Sequence, residues 1–294
     1  MTSVRRRKPL ARGLLIGTLC APLLALATPA AANHPVYVEG NCFGPGAGDA
    51  ATGLKQSPVT AGTCGDYDGD GRIGKAEDRD GDNNYGSINA ALTAIAQNGR
   101  VVIVTSGTFP EVVRLKPTDG GNVSLEAAEG VDANIDAVVQ GDPGNTARSA
   151  AQGGIIIGAC GQCRVTVRNV MTRNWTDGVR VVGRSHVHLD EVRAENNINY
   201  GVHVMGKAKV SISNSQINAT GFRKTSVGVS PANPGVGVSF EDRSKGSVFF
   251  TSITGSAAAG LNAHDNGRRR GDTVRLNHVQ VFDNNPNFTT RDRW

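Results

Sequence analysis

Apolar and polar residues alternate along much of the chain, and between residues 164 and 221 the alternation repeats itself. The first row reads Val165-Thr166-Val167-Arg168-Asn169-Val170, then Asn174, then Gly178-Val179-Arg180-Val181. The second reads Val187-His188-Leu189-Asp190-Glu191-Val192, then Asn197, then Gly201-Val202-His203-Val204. The third reads Val210-Ser211-Ile212-Ser213-Asn214-Ser215, then Thr220-Gly221. Val165 to Val187 is 22 residues, and Val187 to Val210 and Gly178 to Gly201 are each 23. A fixed period in the twenties marks a solenoid. Alternation with period two makes the segments strands with one buried face. One row cannot bury its own apolar face, so rows must stack to make a core. The predicted fold class is all-β, a parallel β-helix in which each row is one coil. Asn174 and Asn197 are expected to align as an inward ladder at a turn.

Outside these rows the pattern changes once to a helical one. Ser87 is a fair N-cap, Ile88, Leu92 and Ile95 share a stripe, and Asn98-Gly99 ends the segment. A short amphipathic helix there predicts an N-terminal cap over the solenoid's open end, which would otherwise leave an unpaired edge. Apolar strands are expected at 101–104, 107–113, 123–126, 137–139 and 155–157. More are expected at 235–240, 248–250 and 274–279. Segments 140–153 and 222–234 have no period and read as excursions from the coils. Phe288 and Trp294 are placed to cap the last coil.

A helix, an apolar strand and then Gly107-Thr108-Phe109-Pro110-Glu111 resembles the opening of the pectin-lyase-like right-handed parallel β-helix superfamily. The rows at 164–221 resemble the coil repeats of the same superfamily, and together they cover roughly 85–284. The resemblance implies a right-handed coil and a polysaccharide partner. Lyases of the superfamily use bound calcium to neutralise a uronate and a basic residue to take a proton. Asn174-Trp175-Thr176-Asp177-Gly178 is similar to the Asn-Thr-Asp stretch of polygalacturonase-type hydrolases, with Trp175 interrupting it. The paired Asp motif followed by Gly-His-Gly, and the Arg-x-Lys after it, are missing.

Charge changes the picture little. The formal +5 comes from Arg5, Arg6, Arg7, Lys8 and Arg12; beyond them 26 basic residues face 26 acidic ones. No electrostatic footprint for nucleic acid remains. The basic stretch, the apolar run 14–27 and Ala30-Ala31-Ala32 read as a secretory signal over 1–32, cleaved before Asn33. The domain reading is therefore 1–32 signal peptide, 33–84 irregular segment, and 85–294 β-helix with its cap. A secreted, extracellular or periplasmic monomer with no membrane span after signal removal is expected. Export permits disulfides. Cys42 and Cys64 flank one loop, and Cys160 and Cys163 form a Cys-Gly-Gln-Cys turn. Three pairings are formally open, and the nearest-neighbour one is preferred.

The sharpest chemical motif is Asp66-Tyr67-Asp68-Gly69-Asp70-Gly71-Arg72-Ile73-Gly74-Lys75-Ala76-Glu77. A Ca2+ ion wants six to eight oxygens. Asp66, Asp68 and Asp70 offer carboxylates, Arg72 its backbone carbonyl, and Glu77 both oxygens. The twelve residues resemble an EF-hand or dockerin loop. Asp78, Asp80 and Asp82 follow without the spacing of a full second loop. Arg270-Gly271-Asp272 reads as part of a solvated charged turn.

Two function classes follow. The first is a secreted calcium-binding β-helix that binds extracellular or cell-wall polysaccharide without cleaving it. The second is a polysaccharide lyase or glycoside hydrolase, with Asp177, Arg180 and His203 as candidate catalytic residues on an outward face. For a hydrolase, paired carboxylates ~5 Å apart predict retention and ~6.5–9.5 Å inversion. His186, His188 and His203 also read simply as exposed polar strand residues.

Overall fold

The computed structural model describes residues 35–38, 87–104, 106–137, 153–218, 220–221, 235–263, 274–284 and the backbone of 288–290. All of them belong to the unit 33–294. The chain winds as a parallel β-helix with three sheets, each coil adding one strand to each sheet in chain order. The first sheet runs through Val36–Val38, Gly99–Ile103, Asn122–Ala127, Arg164–Arg168, His186–Asp190, Lys209–Ser213, Lys245–Phe249 and Val274–Asn277. The second begins at Gly107–Phe109 and ends at Gln280–Phe282. The third begins at Val113–Leu115 and ends at Phe288–Thr290.

Register follows the repeat. Val165 pairs with Val187, and Val187 with Val210, in one inward column. The parallel column Leu125, Val167, Leu189, Ile212 and Val248 is wholly buried. Burying each such side chain is worth roughly 1.5–3 kcal/mol against leaving it in water. Gly246 continues the Val210 column because the ring of Phe240 fills the space a Cβ would need. A similar exchange holds one coil wall together. Trp175 lies inside the solenoid, 1% exposed, and a Cβ on Gly154 would sit 2.6 Å from its ring. The indole N–H donates to the Ile135 carbonyl at 2.8 Å, so the polar atom is satisfied in the core.

The corner between the first and second sheets is turned by single left-handed residues. Asn169, Glu191, Asn214, Phe250 and His278 hold φ of 53°, 54°, 50°, 45° and 54°. At the next corner Asn174 and Asn196 play this part. Asn174 is therefore level with Asn196 and not with Asn197, which corrects the expected ladder by one residue. Asn174 Nδ2 instead donates to Asp136 at 2.7 Å. Asn197 points inward, accepts the Trp175 N–H at 3.2 Å, and donates to the Thr172 carbonyl at 3.4 Å.

The cap has two parts. The helix Ile88–Ala94 buries Ile88, Ala91 and Leu92, with Ser87 as N-cap. It stops at Ile95 because Ala96 and Gln97 turn left-handed, at φ 50° and 57°. Glu111, from the Gly-Thr-Phe-Pro-Glu stretch, accepts the Ile88 and Asn89 N–H groups at 2.6 and 3.1 Å, and the Ser87 hydroxyl at 2.8 Å. A carboxylate there satisfies open backbone donors at the helix start. The second part departs from the irregular 33–84 segment that the sequence predicts: Val36–Val38 forms a first-sheet strand on Val101–Ile103.

Cys160 and Cys163 are bonded, with Cα atoms 5.6 Å apart. The signal segment, Cys42, Cys64, the loop Asp66 to Glu77 with Asp68, Asp70 and Arg72, the acids Asp78, Asp80 and Asp82, and Arg270-Gly271-Asp272 lie outside the described residues. So do Trp294, residues 222–234 and most of 140–153. Among the described residues no helix is long and apolar enough to cross a membrane.

Candidate functional site

The outer face of the third sheet carries the column Arg114, Ile156, Arg180, His203, Ser239 and Asn262. Three residues before it on the same strands, Asp177 faces Tyr200 on the adjacent strand. Strand register alone therefore brings Asp177, Arg180 and His203 together. Asp177 Oδ2 lies 3.3 Å from His203 Nδ1 and 4.0 Å from Arg180 Nε.

Two further groups complete the cluster. Glu241 follows the strand Val236–Phe240, and its Oε2 lies 3.2 Å from His203 Nε2. Its other oxygen accepts the Tyr200 hydroxyl at 3.3 Å and the Ser239 hydroxyl at 3.1 Å. The Tyr200 ring stacks on the His203 ring, centroids 3.8 Å apart and 20° between planes. The imidazole is thus covered by a phenol and held between two carboxylates. At 7% exposure His203 is buried, and Asp177 at 4% also. Both are far from the wet outward positions that His186 and His188 occupy on the first sheet.

The electrostatics follow from this enclosure. Burial works against a charged His203, but its contacts with the carboxylates of Asp177 and Glu241 outweigh it and raise its pKa above the usual value. Glu241 is lowered, chiefly by its contact with His203. Burial, then the Glu241 charge, pushes Tyr200 up to about 12. In its protonated form the imidazole turns one N–H toward each acid. The Nε2 contact with Glu241 is close but poorly aligned, so it is an ion pair more than a good hydrogen bond. Among the described residues, Asp177 Oδ1 is buried without a hydrogen-bond partner, which is costly for a carboxylate oxygen.

Metal binding does not suit this set, because the two ring nitrogens point apart and the carboxylates do not converge. Among the described residues no group of three or more His, Cys, Asp or Glu side chains could hold an ion. The calcium expectation rests on Asp66 to Glu77 alone, outside the described residues. Tyr200 and Glu241 went unnoticed in sequence. Glu241 sits one place past the row ending in Phe240, where the 222–234 insertion interrupts the count. Extending the Gly235-Val236-Gly237-Val238 row by two residues beyond Ser239 would have found it.

Residues 153–289 match the family model described as a right handed beta helix region. No curated protein and no solved structure gives a significant match. The chain therefore carries a right-handed β-helix repeat, and the match leaves its chemistry open.

Proposed function

We propose that the protein is a secreted β-helix that binds an extracellular or cell-wall polysaccharide on the outer face of its third sheet. The observation that carries this reading is that both nitrogens of His203 are engaged by acids. Asp177 and Glu241 are in turn tied to the imidazole, and Tyr200 keeps its proton far above neutral pH. Such a network lacks a ready general base and serves as a rigid, polar wall. Arg180 and Asn262 sit half-exposed beside it in the same column, and sugar hydroxyls are natural partners for such groups. Affiliation with the pectin-lyase-like superfamily belongs to this proposal, as does a calcium ion held by Asp66, Asp68, Asp70, Arg72 and Glu77. That ion would brace the segment before the cap.

One observation favours a second reading. A desolvated cluster of groups with shifted pKa values, and an unpartnered Asp177 oxygen, is what a catalytic site looks like. On that reading the protein is a polysaccharide lyase or glycoside hydrolase using Asp177, Arg180 and His203. Incubation with acidic and neutral glycans, followed for unsaturated ends and new reducing ends, separates the two. Retention of a glycan without product supports binding. Turnover that Asp177→Ala or Arg180→Ala abolishes overturns it in favour of the enzyme.

A further inference from the structure

The C-terminal end of the first sheet combines positive charge with exposed aromatic surface. Arg164, His186, Lys209 and Lys245 stand in register on four consecutive strands, and Arg275 stands in the next outward column. All five are exposed. Neighbours in a column are one strand spacing apart, ~4.8 Å. The last three strands, Lys209–Ser213, Lys245–Phe249 and Val274–Asn277, carry three cations and no acid. Asp190 and Glu191, on and just after an earlier strand, pair with Arg168 at 3.6 and 3.1 Å. Among the described residues, Arg164, Lys209 and Arg275 have no carboxylate within ion-pair distance. Like charges directly opposite on neighbouring strands destabilise a sheet, so this end of the face favours an anionic partner.

Two phenylalanines border the cations. Phe249 is outward on the same face, level with Ser213 and Asn277. Phe250 follows at the corner, 60% exposed, its ring stacked on His278 with centroids 4.9 Å apart. Its φ of 45° is left-handed, a strained conformation for a bulky side chain. Asn169 and Asn214 turn the same corner on earlier coils, and asparagine does so with less strain. Neither burial nor backbone geometry accounts for a phenylalanine at this corner. A partner that takes its ring out of water does.

We propose that this end of the first sheet docks on an anionic lipid bilayer, its cations on the headgroup phosphates and the Phe250 ring in the interface. Lys and Arg side chains gain from the negative potential of such a surface, and apolar rings beside them add buried area. The exposed ring lies at the edge of the cation array, not between its members. A bilayer meets the array and its edge together, whereas single-stranded nucleic acid depends on bases stacking along its track. The surface is separate from the third-sheet cluster, and the proposal does not rest on the glycan reading.

The test is co-sedimentation with large vesicles of phosphatidylcholine alone or in equal mixture with phosphatidylglycerol. The compact unit from Asn33 is used, so that the basic, apolar 1–32 stretch does not itself hold the lipid. The same variants are then compared in the full chain, where that stretch is common to all. Binding is expected on the mixed vesicles alone, and it weakens with salt. Lys209→Gln lowers the partition coefficient about 5-fold, and Lys209→Gln with Arg275→Gln about 30-fold. Phe250→Asn lowers it about 10-fold, while its melting temperature holds or rises, which excludes unfolding. Equal binding to both vesicles overturns the proposal, as does binding to neither. An unchanged double variant or an unchanged Phe250→Asn also overturns it. A single-stranded oligonucleotide or a polyuronate that binds with the same variant dependence, while the vesicles do not, makes the face a polymer site and overturns it too.

Discussion

The same rungs build two opposed surfaces. On the third sheet, His203 and Asp177 are buried and their charges are matched by Glu241 and Arg180. On the first sheet, Arg164, His186, Lys209 and Lys245 are exposed. Both sets are outward columns with the same ~4.8 Å spacing, so repeat geometry does not separate them. What differs is cover. Tyr200 lies flat on His203 and Glu241 reaches across from the next coil, while nothing described roofs the first-sheet column. A histidine in a solenoid column is a charged, low-dielectric network on one side and a solvated side chain on the other.

Substitutions should divide the same way. Trp175→Ala empties the interior behind the third sheet and should cost about 3–5 kcal/mol in denaturant unfolding. His203→Gln leaves the buried Asp177 and the half-buried Glu241 facing an uncharged group and should cost about 3 kcal/mol. The conservative first-sheet change Lys209→Gln should move stability by no more than about 0.5 kcal/mol. A His203→Gln cost as small as that of Lys209→Gln would erase the distinction between the faces.

pH sharpens it. His203 has a raised pKa in the folded state, so its stabilisation is complete below its unfolded value of about 6.5 and fades as pH rises through the folded value. Glu241 is lowered, so its share is present above about 4.3 and is lost as pH falls through its folded value. The stability gap between wild type and His203→Gln should therefore peak between about pH 4.3 and 6.5 and shrink above it. Tyr200, raised to about 12, adds stability that is lost only in strong base. A gap that widens from pH 6.5 to 9 would contradict this sign. A smaller effect concerns the proposed calcium loop. Chelation should lower the melting temperature by a few degrees, since a ligand bound only to the folded state stabilises it by mass action. An unchanged melt would count against occupancy of Asp66 to Glu77.

The fold was legible because Val165, Val187 and Val210 carry the period on their faces. Val36–Val38 was not, since three residues show too little alternation and their partner strand is remote in sequence. Asn197 slipped by one because left-handed Asn196, which turns the corner, is indistinguishable in sequence from an inward asparagine. For the site, register alone united Asp177, Arg180 and His203. The burial of His203 was hidden, because an outward strand position is normally wet. It depends on a ring stacked from its own strand and an acid past an insertion of unpredictable length.

The most direct measurement is NMR titration of the His203 imidazole in the full chain. An imidazole held between Asp177 and Glu241 should keep both ring nitrogens protonated through pH 6.5 and lose a proton above it. A His203 that is already neutral at pH 6 would contradict that arrangement, and with it the contrast between the two faces.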